Sequence, residues 1–342
     1  MDSEHVFTCA GRPQLKVDVR NGYLFVRGWD GAEVRISGAE NTQLRQRGDK
    51  VIVEGGAPCN LTVYLPRASD VYIDGTDLDI DMGGLNGEGI IDVTGGRIKV
   101  EDWQGELEVD ATTCNIQCFQ CLGDVNVDTS AGSVAFTSCQ GNLWADTGAG
   151  AVKAENCIGS LEADTSGGDV ILHQFRGPVH IDTGRGNVEL KGILGRNVYV
   201  DCGAGNIEAV LPSVNLGRWQ LSSGTGYISL AAPEDVSARF EFKGPHLDLS
   251  QLGLTQGAQD RGQVSGILNS GQGQVTVTSS RGSIFARQIA TAILFNAVPE
   301  VENEIDEESL KILTMLEKGA ITTAEAEQLL DALRGEEDCH EG

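Results

Sequence analysis

The 342-residue chain has few aromatic residues, few prolines and few positive charges. Aromatic residues make up only 5% of the sequence, so the core must be filled mainly by Val, Ile, Leu and Ala. Asp and Glu number 50 against 25 Lys and Arg, which gives a formal net charge of −25. This excess of negative charge argues against direct binding to nucleic acid or to anionic lipid.

Long apolar segments are also missing. The longest, Ile289 to Val298, is too short to cross a bilayer. Residues Met1 to Arg12 lack the basic region and apolar stretch of a signal peptide. The nine cysteines, an odd number without an export signal, indicate free thiols in a reducing compartment. We therefore expect a cytoplasmic protein with no transmembrane segment.

Glycine, by contrast, is abundant, and many of the 45 glycines belong to a repeat of 18 residues. One column of the repeat holds Asp74, Asp92, Asp110, Asp128, Asp146, Asp164 and Asp182, and a column six residues later holds Ile or Val from Ile80 to Val188. Each unit reads as two strands of alternating polarity joined by a Gly-rich corner, and such alternation marks strands with one buried face.

The repeat length predicts the fold. At about 3.3 Å per residue, one unit traces a coil of about 60 Å perimeter, which is too narrow for a lumen. Successive coils must then stack about 4.8 Å apart as parallel strands. The sequence predicts an all-β protein, a single-stranded parallel β-solenoid with about 18 residues per coil and roughly a dozen coils.

Departures from the repeat predict the domain organisation. The Gly/Gln-rich segment Gly253 to Gly266 is expected to be a surface loop. The predicted parts are irregular N-terminal β coils forming a cap at 1–66, the β-solenoid at 67–288, an apolar clasp and acidic linker at 289–305, a helical hairpin at 306–335 and an acidic tail at 336–342.

The hairpin is predicted from apolar residues at helical spacing and from a capping box, Thr322 to Glu325. Two helices this short cannot bury their leucines alone. We therefore expect the hairpin to mediate homo-oligomer formation or to dock on a protein partner. The residues predicted to form this interface are Leu310, Leu313, Leu316, Leu329, Leu330 and Leu333.

Three cysteines follow the same spacing as the repeat. Cys121, Cys139 and Cys157 share a column with Trp103, Phe175 and Ile193, which predicts a buried core position in which cysteine acts as a small hydrophobe. The alternative is a zinc site using Cys114, Cys118 and Cys121, but no second cluster completes a tetrahedral set.

The aspartate column is the main candidate site. Asp110 lies between the inward-facing Val109 and Ala111, so the aspartates should point outward and repel one another. One interpretation is that each accepts hydrogen bonds from the backbone of its own corner, as in an Asx-turn. The other is that Ca²⁺ bridges neighbouring carboxylates, with Glu162 as an additional ligand. The candidate metal ligands are Asp110, Asp128, Asp146, Asp164 and Asp182.

An enzyme is the less favoured interpretation. Parallel β-helices can carry sugar-cleaving carboxylate pairs, but a catalytic pair needs two acids in unlike environments, which equivalent repeats do not supply. Glu162, His180 and Asp182 are the one grouping with catalytic character, and a solvated ion pair is the favoured interpretation of it. No nucleophile elbow, phosphate loop or zinc-protease motif is present. We expect a non-enzymatic protein with no catalytic residues and no cofactor.

The repeated units, the opening stretch Leu15 to Gly28 and the closing strands Gly271 to Ile284 together resemble the bacterial putative-adhesin family of β-solenoid proteins, whose function is largely uncharacterised. The segment Leu310 to Leu333 resembles the SHOCT-like helical hairpin often joined to that domain. The resemblance implies a non-enzymatic scaffold or interaction protein, with some relatives linked to envelope-stress systems.

Overall fold

The computed structural model describes residues 4–55, 58–214, 216–255 and 257–290. These residues belong to one compact unit, Met1–Leu294. The predicted hairpin at 306–335, including Leu310, Leu313, Leu316, Leu329, Leu330 and Leu333, lies outside the described residues, as does the acidic tail. Within the described ranges no helix is long and apolar enough to span a membrane.

The described residues form strands that join into a single sheet wound on itself. In chain order the strands are β1 (His5–Thr8), β2 (Gln14–Trp29), β3 (Glu33–Ser37), β4 (Thr42–Arg47), β5 (Lys50–Gly55), β6 (Cys59–Pro66), β7 (Asp70–Asn86), β8 (Gly89–Gln104), β9 (Leu107–Phe119), β10 (Val125–Thr129), β11 (Val134–Thr137), β12 (Gln140–Thr147), β13 (Val152–Glu155), β14 (Ile158–Thr165), β15 (Val170–His173), β16 (Val179–Thr183), β17 (Val188–Lys191), β18 (Asn197–Cys202), β19 (Ile207–Val210), β20 (Arg218–Ser223), β21 (Ile228–Pro233), β22 (Ala238–Lys243), β23 (His246–Gln251), β24 (Gln259–Asp260), β25 (Gln263–Leu268), β26 (Gly273–Ser279) and β27 (Ser283–Ile289).

The predicted parallel β-solenoid is confirmed in the middle of the chain. Each coil there has a first and a second strand, and each strand pairs in parallel with its equivalent in the next coil. For example, Asp128 of β10 is in register with Asp146 of β12, and Val134 of β11 with Val152 of β13. The 18-residue spacing is therefore the length of one coil. Between β16 and β18 the spacing is 19 residues, because Asp182 pairs with Asp201.

At both ends of the solenoid, the order of coils in space differs from their order in the chain. At the N-terminal end, β2 lies between β7 and the later strands β5 and β6. At the C-terminal end, β26 lies between β20 and β22, and β27 lies between β21 and β23. The first long strand and the final coil described are therefore each enclosed by neighbouring coils.

Antiparallel strands complete the ends. β4 pairs with β5 and β3 with β6 at one end, while β25 pairs with β22 at the other. The prediction that Gly253 to Gly266 is a loop was wrong in part, because Gln263 to Gly266 belong to β25 and Gln259–Asp260 forms β24. These polar residues alternate in exposure along an antiparallel strand that covers the last coil.

The core is the narrow interior between the first and second strands of each coil. The predicted inward residues are buried, including the cysteine column, in which Cys121, Cys139 and Cys157 are each 0% exposed. Trp103, Phe175 and Ile193 occupy the same column and are buried as well, so the prediction of a core position is confirmed. Hydrogen bonding to Cys118 and Cys139, together with burial, raises the pKa of the Cys121 thiol.

The corners after β14 and β16 each depend on a buried hydroxyl and a glycine. Gly168 N–H donates to Thr165 Oγ1 at 2.8 Å, and Gly186 N–H donates to Thr183 Oγ1 at 3.0 Å. A Cβ on Gly168 would lie 1.7 Å from the carbonyl oxygen of Gly150 in the preceding coil. Glycine is required at this position because neighbouring backbones approach too closely for a side chain.

Candidate functional site

A continuous file of carboxylates runs along the outer face of the first strands. The sequence prediction that the repeated aspartates stack outward is confirmed by the register and by their partial or full exposure. The structure extends the file beyond the seven predicted members. The carboxylate file consists, in spatial order, of Glu54, Asp18, Asp74, Asp92, Asp110, Asp128, Asp146, Asp164, Asp182 and Asp201.

Most of this negative charge has no neutralising partner in the described part of the chain. Within the described ranges, only two acids near the ends of the file have charged contacts: Glu54 with Arg45 at 3.4 Å, and Asp182 with His180 at 3.2 Å. The Oδ1 atom of Asp164 is buried and receives no hydrogen bond from any residue that the structure describes. The file is thus a line of like charges on adjacent strands about 4.8 Å apart.

The outer face of the second strands is different, because most of its acids lie in ion pairs, although Glu208 instead accepts a hydrogen bond from the Tyr227 hydroxyl. Arg27 contacts Asp81 at 2.6 Å and Glu101 at 3.0 Å. Lys153 contacts Glu155 at 2.7 Å, and similar pairs join Lys99 to Glu101 and both His173 and Lys191 to Glu189. The outer face of the first strands and the outer face of the second strands therefore differ in charge balance. The excess of unpaired negative charge lies on the first-strand face, which carries the carboxylate file.

The environment of the file raises the pKa of three of its carboxyl groups. Burial raises the pKa of Asp110, with further contributions from the charges of Asp128 and Asp92. Burial also raises the pKa of Asp146, followed by the charge of Asp128. For Asp164, burial raises the pKa most and the charges of Asp182, Glu162 and Asp146 add to it, while His180 opposes the shift.

The expected Asx-turn is not formed at Asp164 or Asp182. At those two corners the backbone N–H group of the glycine is taken by the hydroxyl of Thr165 or Thr183 instead of by the carboxylate. A different column contains Asp and Asn side chains whose oxygen atoms accept hydrogen bonds from backbone N–H groups of the next coil. Asn187 N–H donates to Asp169 Oδ1 at 2.7 Å, and Asn206 N–H donates to Asn187 Oδ1 at 3.1 Å.

Two open grooves adjoin the C-terminal half of the file and meet at Tyr199. One, of about 1110 Å³, is lined by Asp146, Asp164, Asp182 and Asp201 together with corner residues. The other, of about 440 Å³, is lined by Glu162, His180, Asn197, Arg218 and Gln220 among others. Tyr199 lines both grooves, which makes it the centre of this surface.

Tyr199 stacks on His180. Their ring centroids are 4.7 Å apart and the ring planes differ by 17°. They are neighbours in a file beside the carboxylates, which runs Glu162, His180, Tyr199, Gln220 across β14, β16, β18 and β20. Burial raises the pKa of the Tyr199 phenol, and the charges of Asp201 and Asp182 add to the shift. The phenol therefore stays neutral and can donate a hydrogen bond.

A family model described as Toastrack DUF4097 matches residues 53–285, well over half of the chain. The chain belongs to the Toastrack DUF4097 family. This match supports the resemblance seen in the solenoid sequence, while the segment likened to a SHOCT hairpin lies outside the described residues of this Toastrack protein. No curated protein matches.

Two solved structures are similar to the Toastrack chain. One is described as a "putative cell adhesion protein" from Clostridium sporogenes, with 10% identity, covering 84% of this chain and 100% of that one, at a TM-score of 0.16. The other is described as a "putative adhesin" from Bacteroides fragilis, with 10% identity, covering 84% of this chain and 97% of that one, at a TM-score of 0.24. These low values lend no support to a shared function.

The arrangement of the Toastrack site bears on the metal and enzyme alternatives. Among the described residues, no group of three or more His, Cys, Asp or Glu side chains converges as a metal site would. The candidate ligands Asp110, Asp128, Asp146, Asp164 and Asp182 form a line in which each carboxylate faces its two neighbours. His180 and Asp182, about half exposed, do contact each other, and Glu162 is next to His180 on the adjacent strand.

Proposed function

We propose that this protein is a non-enzymatic scaffold that holds a positively charged protein segment against its carboxylate file. The observation that carries the proposal is the contrast between the two outer faces. Carboxylates such as Asp92, Asp110 and Asp128 have no charged partner among the described residues, whereas most acids on the second-strand face are paired with Lys, Arg or His. A cationic segment along the file would relieve repulsion that the folded chain otherwise retains.

The C-terminal segment supplies the second part of the proposal. Its predicted hairpin, with Leu310 and Leu333 near its two ends, would join two copies of the scaffold or attach it to another protein. Such a scaffold would act in the cytoplasm, and the family resemblance supports a place in an envelope-stress response. The expected result is that light scattering finds a dimer or larger species for the full chain and a monomer for a chain ending at Val298. The same oligomeric state for both chains would contradict self-association through this segment.

Binding to the file is tested with a fluorescent oligolysine of eight residues, followed by anisotropy at low salt. The triple substitution Asp128→Asn, Asp146→Asn and Asp164→Asn is expected to weaken binding about tenfold or more, because three adjacent charges are lost. The matched control neutralises three paired acids on the other face, Glu101→Gln, Glu155→Gln and Glu189→Gln. It removes the same net charge and should weaken binding much less. Equal losses would mean that net charge alone, rather than the file, attracts the probe.

A cation such as Ca²⁺ is a second candidate ligand, favoured by the buried and unpartnered Oδ1 atom of Asp164. A bound ion would stabilise the folded chain. If the melting temperature rises with CaCl₂ but not with NaCl at equal ionic strength, and Asp164→Asn abolishes the rise, this candidate is supported. If the melting temperature rises equally in both salts, the effect of Ca²⁺ is general charge screening and not binding.

A further inference from the structure

The first strands and the second strands of the coils each form a parallel stack, so the solenoid has four stack ends. Three of these ends are closed by an antiparallel strand: β4 covers β5 and β3 covers β6 at the N-terminal end, and β25 covers β22 at the C-terminal end. The fourth end is β23, which among the described strands pairs only with β27. β23 therefore presents an edge along which alternate backbone N–H and C=O groups point away from the sheet.

The inward side chains of β23 are also incompletely covered. In β23 the inward residues Leu247 and Leu249 pack against the core but stay partly exposed. At the three closed ends, the last parallel strand buries its inward side chains; they are Val51 and Val53 of β5, Leu61 and Val63 of β6, and Phe240 and Phe242 of β22. The fourth end thus lacks a layer of apolar cover as well as a row of hydrogen-bond partners, and a further apolar strand would supply both.

We infer that the edge of β23 is the docking site of the chain's own apolar segment 293–298, which pairs with it as an antiparallel strand. The segment reads Ile-Leu-Phe-Asn-Ala-Val and is followed by Pro299. Its six residues match the six residues of β23. Ile, Phe and Val favour strands, and a proline ends one because it cannot donate to the ladder. The inference gives a position to the clasp predicted at 289–305 and does not depend on the proposed function.

The path of the chain permits this pairing. β27 ends at Ile289, and Arg287 is in register with Gln251, the last residue of β23. The far side of β23 is two strand spacings from β27, about 10 Å, and Ile289 lies about 7 Å beyond Gln251 along the strand direction. The distance to cover is therefore about 12 Å, and the four residue steps from Ile289 to Ile293 span about 13 Å. The segment can thus begin beside the C-terminal end of β23 and run back along it.

The test is amide hydrogen exchange of the full chain, measured by mass spectrometry and corrected for intrinsic exchange rates. β4 is the reference for an open edge, because it also has six residues and, within the part of the chain that the structure describes, pairs only with β5. We expect the amides of β23 to exchange about tenfold more slowly than those of β4, since a strand bonded on both sides has no row of amides open to water.

Proline substitutions in the full chain identify the segment that protects β23. Leu294→Pro and Phe295→Pro remove N–H groups from opposite edges of the segment, so one of the two breaks a hydrogen bond to β23. That variant should raise the exchange of β23 about tenfold. Glu302→Pro, which lies beyond the segment, is the matched control and should leave β23 unchanged. Peptides from β12, in the middle of the solenoid, report whether each variant remains folded.

Several results would overturn the inference. If β23 exchanges as fast as β4 in the unsubstituted chain, the edge is open, and this comparison does not depend on the folding of any variant. If β23 is protected but neither Leu294→Pro nor Phe295→Pro changes its exchange, or Glu302→Pro changes it equally, another part of the chain covers the edge. If protection of β23 falls when the protein is diluted, a second copy supplies the strand. Protection that is independent of concentration and is lost in one of the two proline variants, but not in the control, supports the inference.

Discussion

Replacing Asp164 with asparagine should stabilise the protein. Asp164 has Asp146 and Asp182 on the adjacent strands, and its Oδ1 atom lacks a donor. Two unit charges about 5 Å apart in water repel by about 0.8 kcal/mol. Two such neighbours give about 1.7 kcal/mol before screening, which falls to about 1.4 kcal/mol at 0.01 M salt and about 0.9 kcal/mol at 0.15 M. The asparagine amide can in addition donate to a neighbouring carboxylate.

The assay is thermal unfolding followed by circular dichroism at both salt concentrations. For a solenoid of this size, about 1.4 kcal/mol corresponds to a rise in melting temperature of about 2 °C. The matched control is Glu189→Gln, which removes the same charge but breaks contacts with Lys191 and His173. It should lower the melting temperature slightly, since exposed pairs contribute up to about 1 kcal/mol. A decrease for Asp164→Asn, or a rise independent of salt, would refute the repulsion argument.

Three further predictions concern the corner, the core and the file. Gly168→Ala should lower the free energy of unfolding in urea by about 3 kcal/mol or more, because its Cβ would meet the Gly150 carbonyl, whereas Gly167→Ala, with nothing within 4 Å, should be tolerated. The buried thiol of Cys139 should react with maleimide only as the chain unfolds, while the partly exposed Cys9 should react in the folded protein; fast native labelling of Cys139 would contradict the packing. The triple substitution Asp110→Asn, Asp146→Asn and Asp164→Asn should raise the melting temperature at about pH 7 but not at about pH 3, below the usual pKa of Asp. The pKa of each replaced group is raised by folding, so its stabilising contribution is present below its unfolded pKa and is lost as pH rises through the folded pKa; an equal gain at both pH values would contradict this sign.

The regular coils could be predicted from the sequence because the 18-residue repeat is visible without any knowledge of contacts. Each column that the sequence aligns, such as Asp128 with Asp146, is also a pair in the structure. The ends could not be predicted in the same way. Alternating polarity shows that β26 is a strand, but it does not show that β26 pairs with β20 rather than with the strand that precedes it in the chain. Neighbours in space then depend on packing that no single strand encodes.

The candidate site was predicted in part for a similar reason. The aspartate column was evident, but Asp18 precedes the strict repeat and Asp201 follows a spacing of 19 residues, so neither was counted in the column. Because of the same 19-residue spacing, the sequence analysis did not align Tyr199 with its stacking partner His180, which it grouped with Glu162 instead. The sequence did suggest a hydrogen-bonded corner, yet it could not assign the acceptor to Thr165, because that depends on the hydroxyl being buried under the turn.

At both ends of the solenoid the order of coils in space differs from their order in the chain, and this limits how such a protein can change its length during evolution. A terminal coil cannot simply be gained or lost, since β2 lies inside β5 and β6, and β26 and β27 lie inside β22 and β23. A new coil can be inserted between two regular ones, because it would pair in parallel on both sides and leave both closures intact. Duplication of an interior unit would then lengthen the carboxylate file by one aspartate at a time. The strict repeats in the middle of the chain and the divergent ones at its ends are what such a history would leave.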